Sequence, residues 1–166
     1  MGAPSVCVTT CGDGVRAGAE ECDDDNVTTD DGCDDTCQQQ FLTETEPNET
    51  YEQALANGLM RPGFIYTGAI SPVAARDYFF IRITTTSHIR IRASDVPDLN
   101  SCGAGDPVLT LFRWAGGVAV ADDDNGPALC ADINNLSTSA RRLPPGDYVL
   151  MVSEAGSDAE IPEYYL

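Results

Sequence analysis

Two kinds of side chain dominate the chemistry available to this chain: carboxylates in dense runs and cysteines at regular intervals. Seven aspartates fall within residues 23–35, namely Asp23, Asp24, Asp25, Asp30, Asp31, Asp34 and Asp35, with Asn26 among them. Carboxylates this close repel one another unless water or a cation lies between them. Oxygen donors of this kind suit a hard cation, and calcium takes six to eight of them at about 2.3–2.6 Å. Asp23, Asp24, Asn26 and Asp31 are therefore candidate calcium ligands, against the alternative of a solvated loop. The run Asp122–Asn125 reads instead as a β-turn with solvated acids, because Asp and Asn bond their own backbone in turns.

Five of the seven cysteines, Cys7, Cys11, Cys22, Cys33 and Cys37, lie in the first 37 residues, separated by three, ten, ten and three residues. Two short paired knuckles, the signature of a structural zinc site, are missing. Disulfides are expected, and with them an oxidising compartment. Cys11, Cys22, Cys33 and Cys37 permit three pairings, which the sequence leaves open. Cys102 and Cys130 lie in loops flanking a predicted hairpin and are expected to pair, leaving Cys7 odd. Catalytic chemistry has little to build on. His88 is the one histidine, on a predicted outward position, and no serine or free thiol has an evident activating partner. The expectation is that the chain is not an enzyme.

Charge narrows the partners. There are 27 acidic side chains against nine arginines and no lysine, a formal net charge of -18. Such a surface repels nucleic acid phosphates and anionic lipid, so neither is expected as a partner. Cation binding, salt adaptation and simple solvation all remain open as reasons for the acidity. No stretch reaches the ~20 apolar residues of a membrane span. The start, Met1 to Ser5, lacks the charged and apolar stretches of a secretion signal. Met1 then reads as an added start, and the chain as a piece of something longer.

The elements that must position these groups change character near residue 40. Residues 1–40 form an acidic Cys-rich module with too few large apolar residues for a core, so covalent staples are needed. Residues 41–50 read as an acidic linker and 51–166 as a β-rich domain. Thr50 is a plausible N-cap for one or two helical turns over Tyr51–Ala56, with Gln53 three residues on. Eight alternating runs follow, at Phe64–Ile70, Asp77–Thr84, His88–Ala93, Val108–Trp114, Val118–Ala121, Leu136–Arg142, Tyr148–Ser153 and Ile161–Leu166. That spacing predicts an all-β fold, an antiparallel, jelly-roll-like β-sandwich of about eight strands. Alternation puts Phe79, Ile81, Ile83, Ile89 and Ile91 toward the core. It leaves Arg82, Arg90 and Arg92 close together on the other face, either neutralised by carboxylates or presented to a ligand.

Two resemblances enter at this point. The run from Cys11-Gly-Asp-Gly through Glu20-Glu21-Cys22-Asp-Asp to Asp31-Gly-Cys33 and Cys37 resembles the Cys-rich repeat of myxobacterial surface proteins. That family usually has glycine where Asp25 stands, and a cysteine just before its opening motif commonly belongs to the preceding unit, which would account for Cys7. Residues 44–166 resemble the bacterial pre-peptidase C-terminal domain, a β-sandwich of secreted proteins. The pieces that carry this are Glu44-Thr-Glu46-Pro-Asn48-Glu49-Thr50, Gly68-Ala-Ile70, Asp77-Tyr-Phe79, Ala121-Asp-Asp-Asp124 and Pro145-Gly-Asp147-Tyr-Val-Leu-Met-Val152. Some members bind calcium between this acidic segment and the Asp-Tyr-Phe strand. The resemblance thus implies Glu44, Glu46, Asn48, Glu49 and Asp77 as a first-choice calcium site. The family's two-ion version has a further acid where this chain has Ala74-Ala75-Arg76, so one ion is implied.

Together these readings predict a secreted or cell-surface bacterial module that binds extracellular protein or polysaccharide and is stabilised by calcium. An assembly segment of a surface stalk, meeting neighbouring copies or domains, is the alternative. An accessory domain of a secreted peptidase is a third.

Overall fold

A computed structural model describes residues 10–97, 99, 102–103, 105–122, 126, 130–134 and 140–166. Cys7, Asp123 to Asn125 and residues 136–139 of one predicted strand lie outside them. The chain divides into two compact units. The first comprises Met1–Leu42 with Arg61–Ile65, and the second Thr43–Met60 with Tyr66–Leu166.

The described residues of the first unit have almost no regular structure, as their composition dictates. Two nested disulfides, Cys11–Cys37 and Cys22–Cys33, staple it. Among its described residues Cys33, Cys37 and Phe64 are the buried apolar ones, and the Arg61 guanidinium lies 4.2 Å over the Phe64 ring. Gly32 and Gly63 meet backbone to backbone, since a Cβ on Gly32 would fall 2.4 Å from the Gly63 carbonyl carbon. Asp25, at the position where the resembled repeat has glycine, adopts φ 67°, a left-handed conformation that Asp tolerates better than most residues.

The second unit is an antiparallel β-sandwich. β1 (Phe41–Thr43) carries the chain into it, and α1 (Tyr51–Asn57) follows. The Thr50 hydroxyl accepts the Gln53 N–H at 3.3 Å and so caps α1. Then come β2 (Ile65–Ile70), β3 (Asp77–Ile83), β4 (Ile91–Arg92), β5 (Pro107–Arg113), β6 (Val118–Asp122), β7 (Asp132–Ile133), β8 (Gly146–Glu154) and β9 (Ile161–Tyr165). One sheet has the order β3-β8-β5-β6, another β1-β2-β9, and β4 pairs with β7. Leu109, Leu111, Leu150 and Val152 of the large sheet are buried, as are Ile70, Ile161 and Tyr164 of the sheet that carries β2 and β9. Tyr66 of β2 meets Phe79 of β3 edge to face at 5.7 Å, linking the two layers. The Tyr148 hydroxyl donates to the Pro144 carbonyl at 2.8 Å and ties β8 to its approach. Gly116 and Gly117, at φ 104° and 87°, make the tight β5–β6 turn. Cys102 and Cys130 are joined.

Several expectations need correction. His88–Ala93 shrinks to the two residues of β4, which pair with β7 rather than with β3. The described end of Leu136–Arg142, residues 140–142, is a turn. Phe79 and Ile83 are buried as expected, but Ile81, Ile89 and Ile91 are only half-buried, and Phe80 on the opposite face is buried too. The reason is α1, whose Ala54 packs on Phe80 and Val149 and covers part of the outer face of the large sheet.

Because the first unit relies on its crosslinks, the double replacement Cys22→Ser/Cys33→Ser is expected to cost it about 2–5 kcal/mol. Hydrogen exchange reads this directly. The Glu21 and Gln40 amides, bonded to Cys37 and Gly32 carbonyls, are expected to lose protection; unchanged protection would mean that the loop holds itself without the staple.

Candidate metal centre

The segment after β1 is fastened into the sandwich instead of running free. The Glu44 amide donates to the Thr67 carbonyl of β2 at 2.9 Å, and the Tyr78 amide of β3 donates to the Asn48 carbonyl at 2.8 Å. These two bonds bring Glu44, Glu46 and Asn48 against Asp77, the first residue of β3. Carboxylate oxygens of Glu44, Glu46 and Asp77 lie within 4.8 Å of one another. Glu44 accepts from the Ala69 amide at 2.9 Å, the Asn48 side-chain amide at 2.9 Å and the Tyr164 hydroxyl at 2.6 Å. Glu46 accepts from the Asn48 backbone amide at 3.0 Å. Gly68 makes the approach possible: a Cβ there would stand 2.4 Å from both a Glu44 carboxylate oxygen and the Tyr164 hydroxyl.

None of the ion pairs among the described residues reaches Glu44, Glu46 or Asp77. Burial, followed by the charge of Glu44, pushes the Asp77 carboxyl up to about 8. Burial and then Glu44 and Glu49 raise Glu46, and burial with the neighbouring Asp77 and Glu44 carboxylates raises the Tyr164 hydroxyl well above its ordinary value. Two oxygens are also left over. Asp77 Oδ2 and Asn48 Oδ1 are buried with no hydrogen-bond partner, on residues that are each 1% exposed. Because the Asn48 side-chain NH2 must face the Glu44 acceptor, its Oδ1 is the atom left open. Buried acceptors without donors are costly, and a cation satisfies them. Three carboxylates and one amide oxygen, completed by water, fit calcium's oxygen-only and geometrically tolerant coordination. Glu49 is exposed on the same segment and is not part of the converging group.

The other sites read differently. Asp23 spends its carboxylate on the chain itself, accepting amides from Gly12 at 3.0 Å, Asp13 at 3.3 Å, Gly14 at 2.8 Å and Asp25 at 3.0 Å. The Asp25 bond leads the effects that hold this carboxyl below its ordinary value. Asn26 Oδ1 takes the Thr28 amide, Asp24 is exposed, and Asp31 is half-buried. The structure does not bring these four to one point. Asp23 instead lies with Glu20 and Cys37, and Cys37 is committed to its disulfide. The three arginines separate as well. Arg82 grips Asp147 across β3 and β8, with Nε–Oδ1 at 2.6 Å and Nη2–Oδ2 at 3.1 Å. Arg90 and Arg92 both bind Asp132, each through an Nη2–Oδ2 contact of 2.9 Å. Burial alone would raise the Asp132 carboxyl; hydrogen bonds from Arg90 and Arg92 outweigh it and hold the carboxyl low. His88 is exposed. Sequence reasoning missed Tyr164 and Gly68, which lie 120 and 24 residues from Glu44; only the β2–β9 pairing brings them together.

No protein-family model matches the chain, and no curated protein matches it. Among solved structures it is similar to the pre-peptidase C-terminal domain of a collagenase from Bacillus anthracis. The identity is 12%, the match covers 76% of this chain and 90% of that one, and the TM-score is 0.46. The functional reading therefore rests on the site itself.

Two outcomes follow from the geometry. Gly68→Ala is expected to destabilise the sandwich by about 1–3 kcal/mol through overpacking, read as a lowered denaturation midpoint; an unchanged midpoint would show that Glu44 and Tyr164 can move aside. The second concerns pH in chelator-treated protein. Asp77 titrates near 3.8 when unperturbed and near about 8 here, so between those values the folded chain keeps a proton that the unfolded chain has lost. Stability from this group is therefore present below pH 3.8 and lost as pH rises toward 8. The thermal midpoint should fall across that window, and Asp77→Asn should flatten the fall. An equal slope in the variant would remove Asp77 as its cause.

Proposed function

We propose that this chain is a non-catalytic extracellular binding module whose entry segment is fixed to the sandwich by one calcium ion. Glu44, Glu46 and Asp77 would hold the ion with their carboxylates and Asn48 with its side-chain carbonyl. The observation that carries this reading is the pair of buried, donorless oxygens, Asp77 Oδ2 and Asn48 Oδ1, beside three carboxylates that no arginine pairs with among the described residues. Calcium bound there neutralises charge that otherwise needs a proton on Asp77. It also crosslinks the segment before α1 to the first residue of β3, so that calcium sets how firmly this end of the sandwich is closed.

The extracellular part of the reading is supported by three disulfides, which persist in oxidising surroundings. No helix among the described residues is long and apolar enough to cross a membrane. Binding in preference to catalysis is supported by how several polar groups are used: Asp23, Asp34, Asp95 and Glu154 serve backbone amides, and Asp132 and Asp147 serve arginines.

Calorimetric titration of calcium into chelator-stripped protein tests the site. Heat of uptake with a rise in thermal midpoint is expected, weakened at least about tenfold in Glu46→Ala or Asp77→Ala. No heat and no shift would remove the metal. Retention on a panel of gelatin, peptidoglycan and polysaccharides tests the binding role, which fails if nothing is held with or without calcium.

A further inference from the structure

The outer face of the large sheet is richer in aromatic side chains than packing of α1 requires. Alternation along β3 and β5 turns Tyr78, Phe80, Phe112 and Trp114 to this side, and Tyr51 of α1 lies over them. Its ring centroid is 5.1 Å from Tyr78, 5.9 Å from Phe112 and 6.1 Å from Trp114. Phe80 meets Trp114 edge to face at 5.6 Å. The helix is seven residues long and leaves the end of the face open, where Trp114 is 39% exposed.

One polar element sits at that open end. The Arg82–Asp147 pair lies beside the rings, with the guanidinium carbon 5.5 Å from the Phe80 centroid. The Trp114 amide donates to the Asp147 carbonyl at 2.9 Å, which fixes indole and ion pair side by side. Half of the Arg82 side chain and a third of that of Asp147 remain open to solvent. Nε and Nη2 of Arg82 are used in the pair; Nη1 and the Trp114 indole N–H have no protein partner among the described residues.

We propose that this patch binds a neutral carbohydrate, an inference that rests on the chain being a binding module. An apolar ring face takes the C–H face of a sugar, while outward donors and acceptors at its edge take the hydroxyls. The ion pair supplies both without net charge, and each partner stays compensated when the ligand displaces water. Charge complementarity points the same way. A polyanion meets a chain of net charge -18, and a cation finds unneutralised carboxylates at the metal centre and not here. An uncharged polyol meets neither obstacle.

Trp114 is the one tryptophan of the chain, so its emission reports on the patch alone. Calcium-saturated protein is titrated with hexasaccharides of β-linked glucose, mannose and N-acetylglucosamine, and binding is measured in parallel by calorimetry. A saturable emission shift with at least one of them is expected. Affinity should fall about tenfold or more in Trp114→Ala, and also fall in Arg82→Gln, which leaves every ring in place. Calcium uptake equal to that of the parent chain verifies that each variant is folded; a variant that fails this check is set aside and the other decides. No shift and no heat with all three sugars overturns the assignment even where calcium uptake and polymer retention persist. Retention on gelatin that depends on Trp114 and that the sugars do not compete overturns it too, making the patch a protein interface. Loss of retention on every polymer would end the binding-module reading as well.

Discussion

Three carboxylates whose oxygens lie within 4.8 Å of one another, with no ion pair to any of them among the described residues, repel one another unless a proton or a counter-charge lies between them. Glu44, Glu46 and Asp77 therefore place a condition on the second unit. Burial and the Glu44 charge favour a proton on Asp77, and the proposed cation would take its place. The elements around them are arranged for that condition. β1 delivers Glu44 to β2, Gly68 leaves room for it, β9 supplies the Tyr164 hydroxyl, and the Asn48 carbonyl is hydrogen-bonded to β3. Release of the group would loosen the segment that leads into α1, and α1 is what covers Phe80 and Val149 on the outer sheet face.

Several acids elsewhere serve the backbone. Asp23 gathers four backbone amides, Asp34 takes those of Thr36 and Gln38, Asp95 those of Gly103 and Gly105, and Glu154 those of Asp158 and Ala159. In loops with little regular structure these carboxylates replace the ladder partners that the amides lack. Asp132 and Asp147 meet the same need for arginines. A carboxylate that accepts four amides, as Asp23 does, has little left for a metal; Glu44 accepts three bonds, and the atoms left open in its seam are Asp77 Oδ2 and Asn48 Oδ1.

This explains what could be read from the sequence. The sandwich was legible because short apolar runs such as Asp77–Thr84 and Tyr148–Ser153 recur between turn residues, and because Gly116-Gly117 and Thr50 carry local turn and cap chemistry. β4 and β7, two residues each, leave no period to read, and the pairing of β3 with β8 spans about 70 residues. That non-local order is why Arg82 parts from Arg90 and Arg92. Similarly, residues 61–65 join the first unit through the Gly32–Gly63 contact, which no local pattern marks. The residues Glu44, Glu46, Asn48 and Asp77 could be named from the resemblance, but not Gly68 and Tyr164, and the chain alone gave no means of ranking their site above the Asp23 run. Convergence does that: Glu44, Glu46 and Asp77 oxygens lie within 4.8 Å beside the open Asp77 Oδ2 and Asn48 Oδ1, whereas Asp31, whose Oδ1 is open too, does not converge with Asp23, Asp24 and Asn26.

The proposed cation site is tested most directly by looking for the ion. Crystals of chelator-stripped protein, soaked in calcium and measured for anomalous scattering, should show one peak bounded by Glu44, Glu46, Asn48 and Asp77. Its oxygen distances should be about 2.3–2.6 Å. Peaks confined to the Asp23 loop, or water alone between the three carboxylates, would contradict it and leave a protonated Asp77 as what holds the seam together.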